Sequence, residues 1–146
     1  VAPGVRLTRP ATLDSVPELI GFVLDQAQAC GLPPGRLPGL ELAAEEALVN
    51  VASYAYGAEG GQMSVECLGQ EGLFRLEIED QGAPFDPTQN RPPDLSLGVE
   101  ERGVGGLGVF FMKKFMDRVA YRRDGDSNIL TLEASLAAPS GEQAQP

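Results

Sequence analysis

Residues 102–115, RGVGGLGVFFMKKF, hold the decision about the fold. Gly103, Gly105 and Gly108 satisfy G-x-G-x-x-G, which announces a doubly wound dinucleotide-binding domain only where a buried strand delivers the glycines and a βαβ unit surrounds them. The approach here, PPDLSLGVEER over residues 92–102, is no buried strand. The run also comes too late in the chain for two mononucleotide-binding halves, and no G-x-x-x-x-G-K-[ST] is present. What survives is physical. A glycine-rich loop opening a helix offers backbone N–H groups and a positive dipole end to an anion. The bland reading, glycines that merely permit tight packing, stays open on this stretch alone.

Upstream, the period of the apolar residues is helical. Leu19, Ile20, Val23, Leu24 and Ala27 recur at helix spacing behind Asp14 or Ser15 as N-cap, which predicts a helix over Val16 to Cys30. After the breaker-rich GLPPGRLPG, the segment LELAAEEALVNVASYAYG of residues 40–57 predicts a second helix ended by Gly57. Its apolar stripe is narrow and small: Ala44, Ala47, Leu48, Val51 and Ala55. The period then changes to two. QMSVECLG (62–69) and LFRLEIED (73–80) alternate around a turn at residues 69–72, and RVAYRR (118–123) and NILTLEASL (128–136) around a turn at residues 124–127. With a short extended VRLTRP at residues 5–10 and a helix from about Leu107 to Phe115, the fold class is α+β. Its architecture is a two-layer sandwich, with helices on one face of a mostly antiparallel mixed sheet. One domain is expected over residues 1–136, with a disordered tail at 137–146.

Composition removes whole classes of chemistry. The 146 residues include no histidine, which excludes Ser-His-Asp and Cys-His arrangements, the usual zinc sets and phosphorylation on the chain's own histidine. A net charge of -10 argues against direct contact with nucleic acid. No apolar run is long enough to cross a bilayer and no signal segment opens the chain, so no membrane contact and a cytoplasmic setting are expected. Cys30 and Cys67, without C-x-x-C spacing, read as buried free thiols. Carboxylates, amides, backbone N–H groups and a hard metal ion remain.

Two further stretches offer such groups. Glu46 and Asn50, four apart, share a helix face turned away from the apolar stripe. Together they supply a general base and a hard-metal oxygen ligand, or else an ordinary solvated face. Asp80 closes a strand and Gly82 follows, so the pair reads as an acceptor for an exocyclic amine with room for a flat ring, or as a plain Asp-Gly turn.

In this order, EEALVN (45–50), DQGAPFD (80–86) and GVGGLG (103–108) resemble the N box, adenine box and glycine box of the GHKL ATPase superfamily, and thus its Bergerat ATP-binding fold. ELAAEEALVNVASYAYG (41–57), IEDQGAPFDP (78–87) and GGLGVFFMKKFMDRVAYRRDGDSNILTL (105–132) are more closely similar to its anti-sigma factor serine/threonine kinases. The resemblance implies ATP and Mg²⁺ as cofactors. Asn50 would be the metal ligand, Glu46 the general base toward a protein hydroxyl, and Asp80 the acceptor from the adenine amine, with Gly82 admitting the ring. Gly103, Gly105, Gly106 and Gly108 would form a lid hinge and phosphate cradle, and Thr131 would reach the adenine side through its hydroxyl or a water. The implied partners are an anti-sigma-factor antagonist as substrate and a sigma factor or other regulator in an exclusive complex, with homodimerisation common in the family. Other readings are a nucleotide-gated binding module without phosphate transfer, and a histidine kinase-type ATPase domain acting in trans.

The chain departs from the resembled pattern at Tyr54, where histidine is common, so that histidine's role does not transfer. Arg102, beside the glycines, is a phosphate or partner contact of uncertain register. Lys113 and Lys114 read as solvated helix charges, and Phe110, Phe111, Met112, Phe115 and Met116 as core.

Overall fold

A computed structural model of the chain describes residues 4–89 and 106–137. Among the described residues five strands, β1 (Val5–Pro10), β2 (Gln62–Gln70), β3 (Leu73–Asp80), β4 (Arg118–Asp124) and β5 (Ser127–Ser135), form one sheet in the order β1-β2-β3-β5-β4. Every described pair is antiparallel, so the expectation of a mostly antiparallel sheet is met in full. Among the described residues three α-helices accompany it: α1 (Val16–Cys30), α2 (Leu37–Tyr54) and α3 (Gly106–Phe115).

The pleat sorts the strand residues into two faces. Val65, Cys67, Phe74, Leu76, Ile78, Leu130, Leu132 and Ala134 fall in register on the inner face and are buried against the helices. The outer face carries Glu66, Glu77, Glu79, Arg75, Arg118, Arg122, Thr131 and Glu133. Both predicted hairpins form. In the β2–β3 turn Glu71 and Gly72 both take positive φ, 54° and 79°, the combination that matches a two-residue turn to the strand twist.

α1 has the predicted bounds. Pro17 stands in the first turn, where its missing N–H leaves no bond unmade, and Gly31 stops the helix at φ 94° with its N–H on the Ala27 and Gln28 carbonyls. α2 differs at both ends from its prediction. It starts at Leu37 because Pro38 is tolerated in a first turn, and it ends at Tyr54, before Gly57. The Ala55 carbonyl instead accepts from the Ala83 N–H at 3.3 Å, so the loop after β3 takes the place of a further helical turn. Of the alanines of α2, Ala43, Ala44 and Ala47 are buried, together with Leu40 and Leu48.

Of the apolar residues expected in the core around α3, Met112 and Met116 are buried, whereas Phe110 and Phe115 are exposed. Phe111 is half-buried and packs edge-on to Phe110 and in a stack with Phe115. Phe115 also lies over Gly39 of α2. Of the expected glycine loop and tail, Arg102, Gly103, Gly105 and residues 138–146 lie outside the described residues.

Candidate functional site

Strand parity carries Asp80 inward: Phe74, Leu76, Ile78 and Asp80 occupy alternate positions of β3, and all are buried. There the apolar series ends in a carboxylate. Its Oδ1 accepts from the Gly82 N–H at 2.8 Å, so Asp80 folds the loop after its own strand. Gly82 in turn lies against the end of α2. A Cβ there would stand 2.7 Å from the Ala55 carbonyl carbon and 2.8 Å from the Ala55 side chain, so only glycine fits. Tyr56 braces the same corner. Its hydroxyl accepts from the Gln81 N–H at 2.7 Å and donates to the Gln62 carbonyl at 2.5 Å.

Across the ladder from Asp80 is Asn128, also buried. Its Nδ2 donates to Asp80 Oδ1 and to the Ala83 carbonyl, each at 2.9 Å. Its Oδ1 accepts from the Tyr121 hydroxyl at 2.6 Å and the Phe85 N–H at 3.3 Å. Arg123, beside this corner, donates to the Gly82 carbonyl at 2.8 Å.

These groups close one end of a cavity of about 260 Å³ between α2, α3 and the sheet. Ala47, Val51, Ile78, Met112 and Leu130 give it apolar walls, while Asn50, Asp80 and Asn128 supply its polar groups. Tyr54 and Phe85, both exposed, stand at its edge. A slot of apolar walls with few polar groups suits a flat, largely apolar ring system. Asn50 contributes a second irregularity: its Nδ2 is buried and, among the described residues, has no hydrogen-bond partner. An orphaned buried N–H donor is costly unless an acceptor completes it, so a ligand oxygen fits there, while the carboxamide oxygen of the same side chain suits a hard metal ion. One turn back on α2, Glu46 is half-buried, and burial first, then neighbouring Glu45, pushes its carboxyl above the ordinary range. A carboxylate shifted that way is better matched to accepting a proton near neutral pH.

The structure thus brings Asn50 and Asp80 together in one cavity, with Gly82 shaping its end. Glu46 keeps its place one turn from Asn50 but is not among the lining residues. Gly106 and Gly108 lie in the first turn of α3. Thr131 is a correction. It occupies the outer face, paired with Glu77, and its hydroxyl donates to Glu77 Oε2 at 3.4 Å. From there it lies outside the cavity lining, on the face of the sheet opposite Asp80. The inner residue near this end of β5 is Asn128, which the sequence reading passed over although the signal was present. Leu130, Leu132 and Ala134 set the inward parity, and two residues before Leu130 is Asn128.

Comparison with known proteins fits this geometry. The profile of the histidine kinase-like ATPase domain family matches residues 9–134. The serine/threonine-protein kinase BtrW of Bordetella bronchiseptica is 34% identical over 103 residues, covering 69% of this chain and 72% of that protein. The serine-protein kinase RsbW of Listeria monocytogenes is 31% identical over 111 residues, covering 72% and 71%. The crystal structure of the RsbU and RsbW domains of Rv1364c from Mycobacterium tuberculosis superposes with a TM-score of 0.67 at 15% identity. It matches 94% of this chain, which spans 34% of that larger chain, and the likeness speaks for the fold.

Proposed function

The chain belongs to the histidine kinase-like ATPase domain family and, within it, to the serine/threonine-protein kinases, and from that premise we propose how its cavity works. The cavity binds the adenine end of ATP, and the bound nucleotide donates its terminal phosphoryl group to a serine or threonine hydroxyl of a small protein. The observation that carries this reading is the state of Asp80. One carboxylate oxygen holds two N–H donors, and among the described residues the other has no protein donor. A buried acceptor at the end of an apolar slot is what an exocyclic amine requires.

Asn50 would hold Mg²⁺ through its carboxamide oxygen, and its buried Nδ2, unpartnered among the described residues, is left to donate to an acceptor oxygen of the bound nucleotide. The metal, when bound, supplies charge neutralisation for the transferring group. Glu46 accepts the proton of the attacking hydroxyl as its oxygen bonds to the terminal phosphorus and the bond to the bridging oxygen breaks, releasing ADP. The glycines of residues 103–108 cradle the phosphates, with those of the α3 first turn contributing backbone N–H groups. The protein substrate is an anti-sigma-factor antagonist, and a sigma factor or other regulator competes for the same kinase, which acts in the cytoplasm as one domain over residues 1–136. A nucleotide-gated binding module is the second reading, favoured by the position of Glu46 outside the cavity lining.

Calorimetric titration with ADP, with and without Mg²⁺, tests the assignment. The unaltered protein and Glu46→Gln should bind ADP alike, whereas Asn50→Ala should lose the Mg²⁺-dependent part. Phosphate transfer by Glu46→Gln should fall by about 100-fold or more. Equal loss of ADP binding in both variants removes the role given to Glu46, and no binding at millimolar ADP removes the kinase reading.

A further inference from the structure

We propose that Asn128 is the positioning residue for base recognition: it aims Asp80 at the exocyclic amine while making no contact with the nucleotide itself. The inference rests on the reading of the cavity as an adenine-nucleotide site and extends it to a residue outside that reading.

Hydrogen-bond capacity carries it. A carboxamide offers two N–H donors and an oxygen with two lone pairs. Asn128 uses both donors, on Asp80 Oδ1 and the Ala83 carbonyl, and both lone pairs, on the Tyr121 hydroxyl and the Phe85 N–H. Its amide has one orientation only. Reversed, the oxygen would face a carboxylate and a carbonyl, and the NH₂ would face the Phe85 N–H, with only the Tyr121 hydroxyl able to accept. With its capacity filled by protein, Asn128 has nothing left for a ligand, although it borders the cavity.

What it does instead is fix two things at once. Asp80 Oδ1 is held from two sides, by the Gly82 N–H and by Asn128 Nδ2, so the carboxylate cannot turn without breaking both bonds. The loop from Gly82 to Phe85, which closes this end of the cavity, is tied to β5 through the same side chain. Tyr121, next to Asn128 in space on β4, pins the amide from behind. A serine or threonine hydroxyl has a single donor and a short reach, and would leave either the carboxylate or the loop untied.

The test is a cycle between a protein group and a ligand group. Affinities for ADP and for purine riboside diphosphate, which lacks the 6-amino group, are measured with Mg²⁺ on the unaltered protein, Asn128→Ala and Tyr121→Phe. The unaltered protein should prefer ADP by about tenfold or more, the scale of one hydrogen bond to a charged acceptor. Asn128→Ala should lose most of that preference, while its affinity for the amine-free nucleotide changes by less than about threefold. Tyr121→Phe, which leaves every bond to Asp80 in place, should reduce the preference by about threefold, and it keeps the question open to refutation if Asn128→Ala fails to fold. A merely structural role would weaken both nucleotides equally, and that result overturns the proposal, as does an unchanged preference in both variants. Absence of ADP binding to the unaltered protein overturns the nucleotide reading and this inference with it.

Discussion

Asp80 and Glu133 are equally buried, each 5% exposed, on opposite faces of the same sheet, and they are answered in opposite ways. Glu133 accepts from Arg75 Nε at 3.0 Å and has Arg118 at 3.5 Å. Asp80 has only neutral donors, a backbone N–H and a carboxamide, and among the described residues no salt bridge reaches it. Arg123 donates to the Gly82 carbonyl at the same corner. A buried carboxylate matched by guanidinium charge belongs to the fold, and its field is spent inside the protein. One held by neutral donors, with an oxygen left over, keeps both an acceptor and an uncompensated charge for something that arrives later.

The comparison is broken most severely at the glycine that makes the Asp80 corner possible. Gly82→Ala would drive a Cβ into the Ala55 backbone, so the loop, the carboxylate and the end of α2 must all shift. ADP affinity should fall by about 100-fold or more, with a loss of stability of about 2 kcal/mol. Titration and chemical denaturation of the same variant check both. Retained affinity would show that the close approach at Ala55 is incidental to the site.

A paired substitution sharpens the contrast at smaller cost. Asp80→Asn keeps an acceptor for Gly82 and Asn128 but turns an NH₂ toward the incoming amine, so ADP affinity should drop by about 10- to 100-fold, with stability changed by less than about 1 kcal/mol. Glu133→Gln should do the reverse. Its partners Arg75 and Arg118 are 41% and 60% exposed, so solvent screens the pair and the loss is about 1 kcal/mol, with ADP affinity within about twofold. If Glu133→Gln weakens ADP as strongly as Asp80→Asn, the two faces do not divide the work.

Much of this division was legible in the sequence because it follows from periodicity. α1 has its predicted bounds, both hairpins form, and Asp80 stands where the alternation of LFRLEIED puts it. Parity also explains the failure at Thr131. Its residue type invited a ligand role, yet Leu130 and Leu132 on either side already assign it to the outer face beside Glu77. Asn128 was missed because its importance is a count of partners, and those partners come from two stretches outside its own strand, Asp80 to Phe85 and Tyr121. Gly57 misled for a similar reason. α2 stops early because the Ala55 carbonyl is wanted by Ala83, a contact 28 residues away that no local signal carries.

Glu46 gives the smallest effect and the most telling sign. Burial, then Glu45, holds its carboxyl above its ordinary value of 4.5, so between that value and the raised one the folded protein binds more protons than the unfolded chain. Stability therefore falls as pH rises through that window, and above it the charged group weighs against folding in full. Glu46→Gln removes the charge and should melt higher at pH 7, by no more than about 2 °C because the side chain is still largely solvated, with the difference gone below pH 4.5. Phosphate transfer by the unaltered protein should decline over the same window as pH falls, since the base must be ionised to act. The same carboxylate-to-amide change thus lowers stability at Glu133 and raises it at Glu46. A lower melting temperature for Glu46→Gln at pH 7 would mean that Glu46, like Glu133, is held by the fold for its charge, and the general-base assignment would lose its physical ground.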